Sequence, residues 1–594
     1  MMSLDMMTRV FINRFIDLLD DGKTEEAIQL LKKDRKVTED GLHNILSAVV
    51  SNLTSFTLQH KKETFDCCSN VLMYIAENYD STTVIIEIPK HLKHASDHVN
   101  FCTILNAMLS CMMKMQNKRR DIVWGLDSIL AYIKNLPLSD EVDDLEAASE
   151  RIIQTYKEIT VFLQLLIQEA INNNSKQKKE TRFRKRLLSF LISLCEKPLC
   201  CLNKYVIEGK ISETTYEELT DDIVTQAFCL TGDILYFLNV VSKRQKKPFY
   251  YKKRYKEIFQ KAFISNWTMQ ISDMAFANFY FYIITKEKYW INVPQVYNTY
   301  YILEMCAYFF KILLSEDYSI PTGLIFMENV IKRILPRSIN FRVLKLEIYT
   351  ELLKPLTKVM IYSNSDEQRK KAVHIFQEYI EIFNMEAKYF VILYLYDIAE
   401  HSGLLSFITG MFKSSIIECL DSTPQNPQFL GGNMELLLKK ACNLPHGSSS
   451  DVVEISDEII AALNLLRFLF IRDKNNETGI WDMTDMLKSN YLNPLKEGID
   501  LCRGHWKVKA KDLDQQKKDL AKEQDYSKLM KAHMEVALTV GGEQLPLMPV
   551  PEKISICYQV INGLDVMESI LVRVNECIDM NEKFIKKSDE LISM

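Results

Sequence analysis

Apolar residues recur at helical spacing along almost the whole chain, with little to interrupt them. The clearest stretch follows Pro551. There Cys557, Val560, Ile561, Leu564, Met567, Leu571, Val574 and Ile578 step by three or four residues. A 3.6-residue period gathers them into one stripe and gives the opposite face to Asp565, Glu568, Ser569, Arg573 and Glu576. Turn formers are scarce. The 17 glycines and 15 prolines are about 5% of 594 residues, against roughly 12% in ordinary proteins. Long helices joined by tight corners satisfy both facts. No crisp repeat of the ankyrin or tetratricopeptide kind is present, so the predicted fold is all-α: degenerate helix pairs stacked in a HEAT- or armadillo-like solenoid.

The corners have readable chemistry. In "DDGKTEEAIQLL", Gly22 can end one helix in the left-handed conformation, and Thr24 can cap the next, with Glu25 and Glu26 in its first turn. Similar punctuation recurs at "LPLSDEV" after residue 135, at "KISETTYEEL" near 210 and at "SNSDEQRKK" near 363. Breaks are expected at 172–180, 242–254, 421–432 and 444–451. A boundary near residue 245 divides the chain into an N-terminal region, 1–245, and a C-terminal region, 246–594. The charged stretch 507–528 reads as a projecting helix or a mobile loop. One segment departs from the pattern. "TVGGEQLPLMPVPEK" (539–553) carries Gly541-Gly542 between short β-prone runs and then three prolines, which predicts a small turn or hairpin near 536–549. Pro551 suits the first helical position, and Glu552 complements the dipole of the helix that follows.

Composition excludes several classes. Hydrophobic residues are 47% and charged residues 25%, a globular balance; the net charge is −5, with no global pull toward nucleic acid or anionic membrane. The N-terminus carries acids and an Arg within its apolar pattern, unlike a signal peptide. No run of 18 apolar residues is apparent. The 14 cysteines follow no framework, as reduced thiols would. The expected setting is the cytoplasm, with the nucleus as a second location, and no membrane partner is expected.

Chemical motifs are thin. Gly22-Lys23-Thr24 resembles part of a phosphate loop, but Asp17 stands where that motif needs a glycine. His91, His94 and His98 have spacing compatible with one helix face, though a helix surface is the better reading than zinc. "CEKPLCC" (195–201) lacks paired Cys-x-x-Cys spacing. The basic clusters 176–186 and 243–256 read as solvated connectors, with nuclear import or an acidic partner as alternatives. No nucleophile elbow, HExxH or dinucleotide fingerprint appears. The expectation is therefore a binding protein with no cofactor and no metal, not an enzyme.

The C-terminal third resembles the glomulin family of cullin–RING ubiquitin ligase inhibitors. The matching segments are "SDEIIAALNLLRFLFIRDKNNETGIW" (456–481), "NYLNPLKEGIDL" (490–501), "TVGGEQLPLMP" (539–549) and "DVMESILVRVNECI" (565–578). Weaker matches lie at 368–380, at 388–408 and near the N-terminus; no residue-specific match is carried across 140–340. The resemblance implies a helical scaffold that grips the RING domain of the ring-box subunit, with its cullin, and covers the surface where a ubiquitin-conjugating enzyme docks. It also implies an immunophilin as a second partner and kinship with fungal stress-regulator and kinetochore adaptors. The residues it points to are His505, Trp506, Glu543, Met548, Asp565, Glu568 and Arg573. Trp506 also falls on the 491–495–499–502–506 stripe, where a core role competes. Asn464, Leu465, Leu466 and Arg467 match too and are assigned to folding. The alternative function is a helical-repeat adaptor for another protein, or for nucleic acid through the basic loops.

Overall fold

In the computed structural model the described residues are 4–33, 41–115, 121–136, 145–172, 178–231, 233–235, 238, 271–291, 296–344, 348–423, 425–522, 539–540, 543–544 and 549–592. They form an all-α helical-repeat solenoid in which helices pack in series on others near them in the chain. Residues Met1–Ile334 with Tyr362–Ile375 make one compact unit, and Leu335–Ile361 with Phe376–Met594 a second. The boundary expected near residue 245 lies outside the described residues.

In the first unit the neighbour rule is plain. Lys62–Asn78 touches Thr24–Lys33 before it and His98–Lys114 after it; Leu145–Asn172 touches His98–Lys114 and then Glu213–Leu230; Asp273–Thr285 touches Thr299–Leu313 and Ile320–Ile331. Apolar stripes fill the seams: Cys67, Cys68, Val71, Leu72 and Ile75 are fully buried in one helix, and Phe276, Phe279 and Tyr280 in another. Between helices the backbone polar groups need partners, because burying them unpaired is costly. Asp97 accepts from the backbone N–H groups of Asn100 and Ser55, while Asn100 donates to the carbonyls of Val50 and Leu53, both at 2.9 Å. Buried tyrosines do the same work elsewhere: Tyr156 donates to the Leu194 carbonyl and Tyr280 to that of Ile234.

Several sequence expectations resolve here. Gly22 is left-handed, with φ 70°, between Leu4–Asp20 and Thr24–Lys33, so "DDGKT" is a helix corner. His91 stacks on His43, with ring centroids 5.6 Å apart, whereas His98 meets Cys102 and Thr155. Among the described residues no group of three potential ligands converges. The basic cluster 176–186 is a correction. It is largely helix, Lys178–Ser193, and Arg184 donates to the carbonyls of Ala170 and Ile171 at 2.9 and 3.4 Å. That closes the C-terminal turn of Leu145–Asn172 with a cation, which the helix dipole also favours. The second cluster, 243–256, lies outside the described residues.

In the second unit Met385–Ile398 packs on Ser402–Asp421, which packs on Ser456–Arg472. Among the described residues one helix, Ser402–Asp421, is long and apolar enough by mean hydropathy to cross a membrane, although Lys413 and Glu418 interrupt it and it holds no run of 18 apolar residues. Leu404, Ile408, Phe412, Ile416 and Cys419 are buried along it, so its apolar stripe is a solenoid seam. The expected hairpin is present as two short antiparallel strands, Thr539–Val540 and Glu543–Gln544, with Val540 opposite Glu543.

Candidate functional site

Three of the family-matching segments, 456–481, 490–501 and 565–578, come together where three helices meet. The last helix, Val550–Ile592, packs on both Ser456–Arg472 and Asn493–Lys522. It starts as its sequence dictates: Pro551 and Glu552 occupy the first turn, and the Pro549 carbonyl accepts from the N–H groups of Glu552 and Lys553. Cys557, Leu564, Met567, Leu571, Val574 and Ile578 are buried, each at 2% exposure or less. Val560 and Ile561, on the same stripe, are half-buried. Burying each aliphatic side chain stabilises the junction by about 1.5–3 kcal/mol. On Asn493–Lys522, Leu495, Ile499 and Ala510 are buried, and Gly498 lets the neighbouring backbone approach: a Cβ there would stand 3.1 Å from the Ser448 carbonyl oxygen.

A charged clasp joins the last two helices. Arg503, 14% exposed, donates from Nη1 to Asp500 at 3.0 Å, from Nε to Asp565 at 3.1 Å and from Nη2 to Glu568 at 2.5 Å. Together with Tyr558 lying 3.5 Å from Asp514, this pairing shows that the helices run antiparallel. Guanidinium matches three carboxylates well because its donors are planar and fixed in direction. Asp565 and Glu568 are therefore brought together, but as partners of Arg503 and not as free surface acids. Their long-range partner, 62 and 65 residues earlier, is invisible to a local reading of the sequence.

The other candidate residues are placed as follows. Trp506 is half-buried, with the Lys509 ammonium 4.6 Å from its ring centroid and the His505 ring edge-on at 6.0 Å. Its contact with the Cys502 sulfur favours the thiolate, yet burial wins and pushes that thiol up. His505 is exposed. Arg573 is 66% exposed and pairs with Glu576 at 2.9 Å. It lies five residues beyond Glu568, which on a helix is about 7.5 Å along and about 140° around. Glu543 sits in the second short strand, its side chain outside the described residues; Met548 is also outside them.

Exposed apolar side chains lie on the same two helices. Leu501 and Val508 stand on one face of Asn493–Lys522, 64% and 59% exposed, with His505 between them. Val566 and Val572 stand on the last helix at 54% and 47% exposure. Sequence reasoning missed all four. Their only signal is that they fall off the buried stripe. It also assigned Asn464 and Arg467 to folding along with Leu465 and Leu466. The leucines are core, but Arg467 is exposed and Asn464 half-buried beside an open cleft.

One acid at this junction is desolvated. Burial pushes the Glu458 carboxyl up to about 7, from an ordinary 4.5, at the start of Ser456–Arg472, where its backbone N–H donates to Ser402 Oγ. The folded state then holds a proton that the unfolded chain releases, so stability falls as pH rises from about 4.5 through about 7. Glu458→Gln removes the penalty. It is expected to raise stability at pH 8 by on the order of 1 kcal/mol, discounted because the side chain is half-exposed, and to change little at pH 4. Thermal unfolding at the two pH values checks this.

Comparison with known proteins covers most of the chain. Residues 303–557 match a family described as an uncharacterised protein family, YAP/Alf4/glomulin. Glomulin of Homo sapiens is 23% identical over 575 residues, covering 95% of this chain and 92% of that protein. Glomulin of Mus musculus is 22% identical over 574 residues, with the same coverage.

Proposed function

We propose, from the premise that this chain belongs to the YAP/Alf4/glomulin family, that it is a noncatalytic inhibitor of cullin–RING ubiquitin ligases. It binds the RING domain of the ring-box subunit and occupies the surface that a ubiquitin-conjugating enzyme needs. No bond is made or broken by the inhibitor; occupancy alone stops transfer.

The observation that carries this reading is the helix junction at the C-terminal end of the second unit. Exposed Leu501, Val508, Val566 and Val572 supply apolar surface on the last two helices, and the Arg503 clasp, His505 and the Arg573–Glu576 pair supply polar and charged groups on the same helices. Protein interfaces combine apolar side chains with polar and charged groups in this way. Pro549 opens the last helix, its carbonyl accepting from Glu552 and Lys553. A nucleic-acid role through the 176–186 cluster loses support, because Arg184 is committed to closing a helix. We place the activity in the cytoplasm, where reduced thiols and cullin complexes occur together.

A pulldown tests the reading. Immobilised ring-box–cullin complex is expected to retain the purified protein at micromolar concentration or below, and the same complex lacking the ring-box RING domain is expected not to. Equal retention by both would remove the RING as the partner.

A further inference from the structure

We propose that the cleft between Ser402–Asp421 and Ser456–Arg472 binds an acidic peptide segment of a protein partner, a role separate from ring-box binding. The cleft encloses about 570 Å³. Its walls carry four cations, Lys413 from the first helix and Arg467, Arg472 and Lys474 from the second helix and the turn after it. Arg472 pairs with Asp421 at 3.2 Å. Among the described residues, Lys413, Arg467 and Lys474 have no carboxylate within ion-pairing distance. Three uncompensated cations around one opening make a positive field in a chain whose net charge is −5.

The floor favours a peptide over a phosphate chain. Ile471 is 50% exposed inside the cleft, and Asn464 offers an amide that can pair with a peptide backbone. Lys413 lies over one face of the Phe468 ring, its Nζ 4.9 Å from the centroid, and competes with any base for that face. Arg467 provides the planar fork that grips a carboxylate with two parallel bonds.

The cationic rim is also fixed in advance. The turn after Arg472 is held by Asp473, 3% exposed, whose carboxylate accepts from the backbone N–H groups of Glu477 and Thr478 at 2.7 Å and from the Thr478 hydroxyl. The Asp473 carbonyl accepts from Trp481 Nε1 at 2.7 Å, and Asn476, left-handed at φ 56°, accepts from the Trp481 N–H. Lys474 therefore sits on an ordered turn, and less entropy is lost when a ligand settles there. The matching segment 456–481 thus encodes both the cleft wall and the brace that shapes it.

The test uses full-length protein and a short fluorescein-labelled peptide of alternating Glu and Leu, read by fluorescence anisotropy at near-physiological salt. The peptide is expected to bind, and its analogue with Gln for Glu to bind at least about ten-fold more weakly. Arg467→Glu with Lys474→Glu is expected to weaken the acidic peptide by about ten-fold or more, since both side chains are exposed and folding survives their reversal. Lys61→Glu with Lys62→Glu makes the same change in net charge in the first unit and is expected to leave binding within about two-fold. Failure of the acidic peptide to bind, or equal loss in both double variants, would overturn the proposal. So would tighter binding of single-stranded oligothymidylate that is lost in the Arg467→Glu, Lys474→Glu protein, which would make the cleft a phosphate site. Ring-box retention in the pulldown is expected to be unchanged in that variant, so the two claims fail separately.

Discussion

Arg503→Glu is expected to loosen the last helix from its neighbour and to abolish ring-box binding together. The substitution removes the cation shared by Asp500, Asp565 and Glu568 and puts a fourth carboxylate among them. Removing one member of a buried pair costs about 3–5 kcal/mol. Here the acids are 56%, 56% and 37% exposed, so water screens part of the loss and about 2–3 kcal/mol is expected. Arg503→Met separates charge from packing. Its apolar stem still covers the seam, and only the mutual repulsion of Asp565 and Glu568 remains, for a cost of roughly 1 kcal/mol. Hydrogen exchange along 550–580 reads the effect locally. Protection in that helix is expected to fall by about thirty-fold or more in Arg503→Glu, while protection in Lys62–Asn78, in the other unit, is unchanged. Equal protection in wild type and Arg503→Glu would show that the apolar stripe alone holds the helix.

Much of this region was legible in advance. The stripe from Cys557 to Ile578 needs only its own spacing to be recognised, and Pro551 with Glu552 marks where it starts; helix and burial follow because both signals are local. The hairpin around Gly541-Gly542 is a local signal too. What a local reading misplaces is what distant residues decide. Asp565 and Glu568 look like free surface acids until Arg503 is brought to them from another helix. Arg184 looks like loop charge until the end of Leu145–Asn172 is placed beside it. Arg467 sits one residue beyond buried Leu466, and only the neighbouring helix shows that it borders a cleft. Exposure of Leu501, Val508, Val566 and Val572 has the same origin: composition names them apolar, and packing leaves them uncovered.

The second large effect is expected at Arg573. Because this side chain is 66% exposed, Arg573→Glu is expected to leave stability within about 0.5 kcal/mol of wild type. It is nevertheless expected to weaken ligase inhibition by about 2 kcal/mol, roughly thirty-fold, if the RING presents an acidic rim to this face. The Glu576 pairing sharpens the comparison. Glu576→Lys frees Arg573 from its 2.9 Å partner and adds a second cation one turn away. Inhibition by that variant is expected to stay within about three-fold of wild type or to tighten. Opposite responses of the two variants, with identical unfolding temperatures, are the signature of a charge that faces a partner. Weakening by both would instead mean that the intact pair orders the helix surface, and would take Arg573 out of direct contact.

The central claim is competition for one RING surface. Its most direct measurement is ubiquitin chain synthesis by a ring-box–cullin complex, with this protein titrated at each of several rising concentrations of charged conjugating enzyme. Two ligands that share a surface exclude each other, so inhibition is predicted to disappear as conjugating enzyme rises, with the half-inhibiting concentration increasing in proportion and the maximal rate unchanged. A half-inhibiting concentration that stays constant, with a maximal rate that falls, would contradict the account.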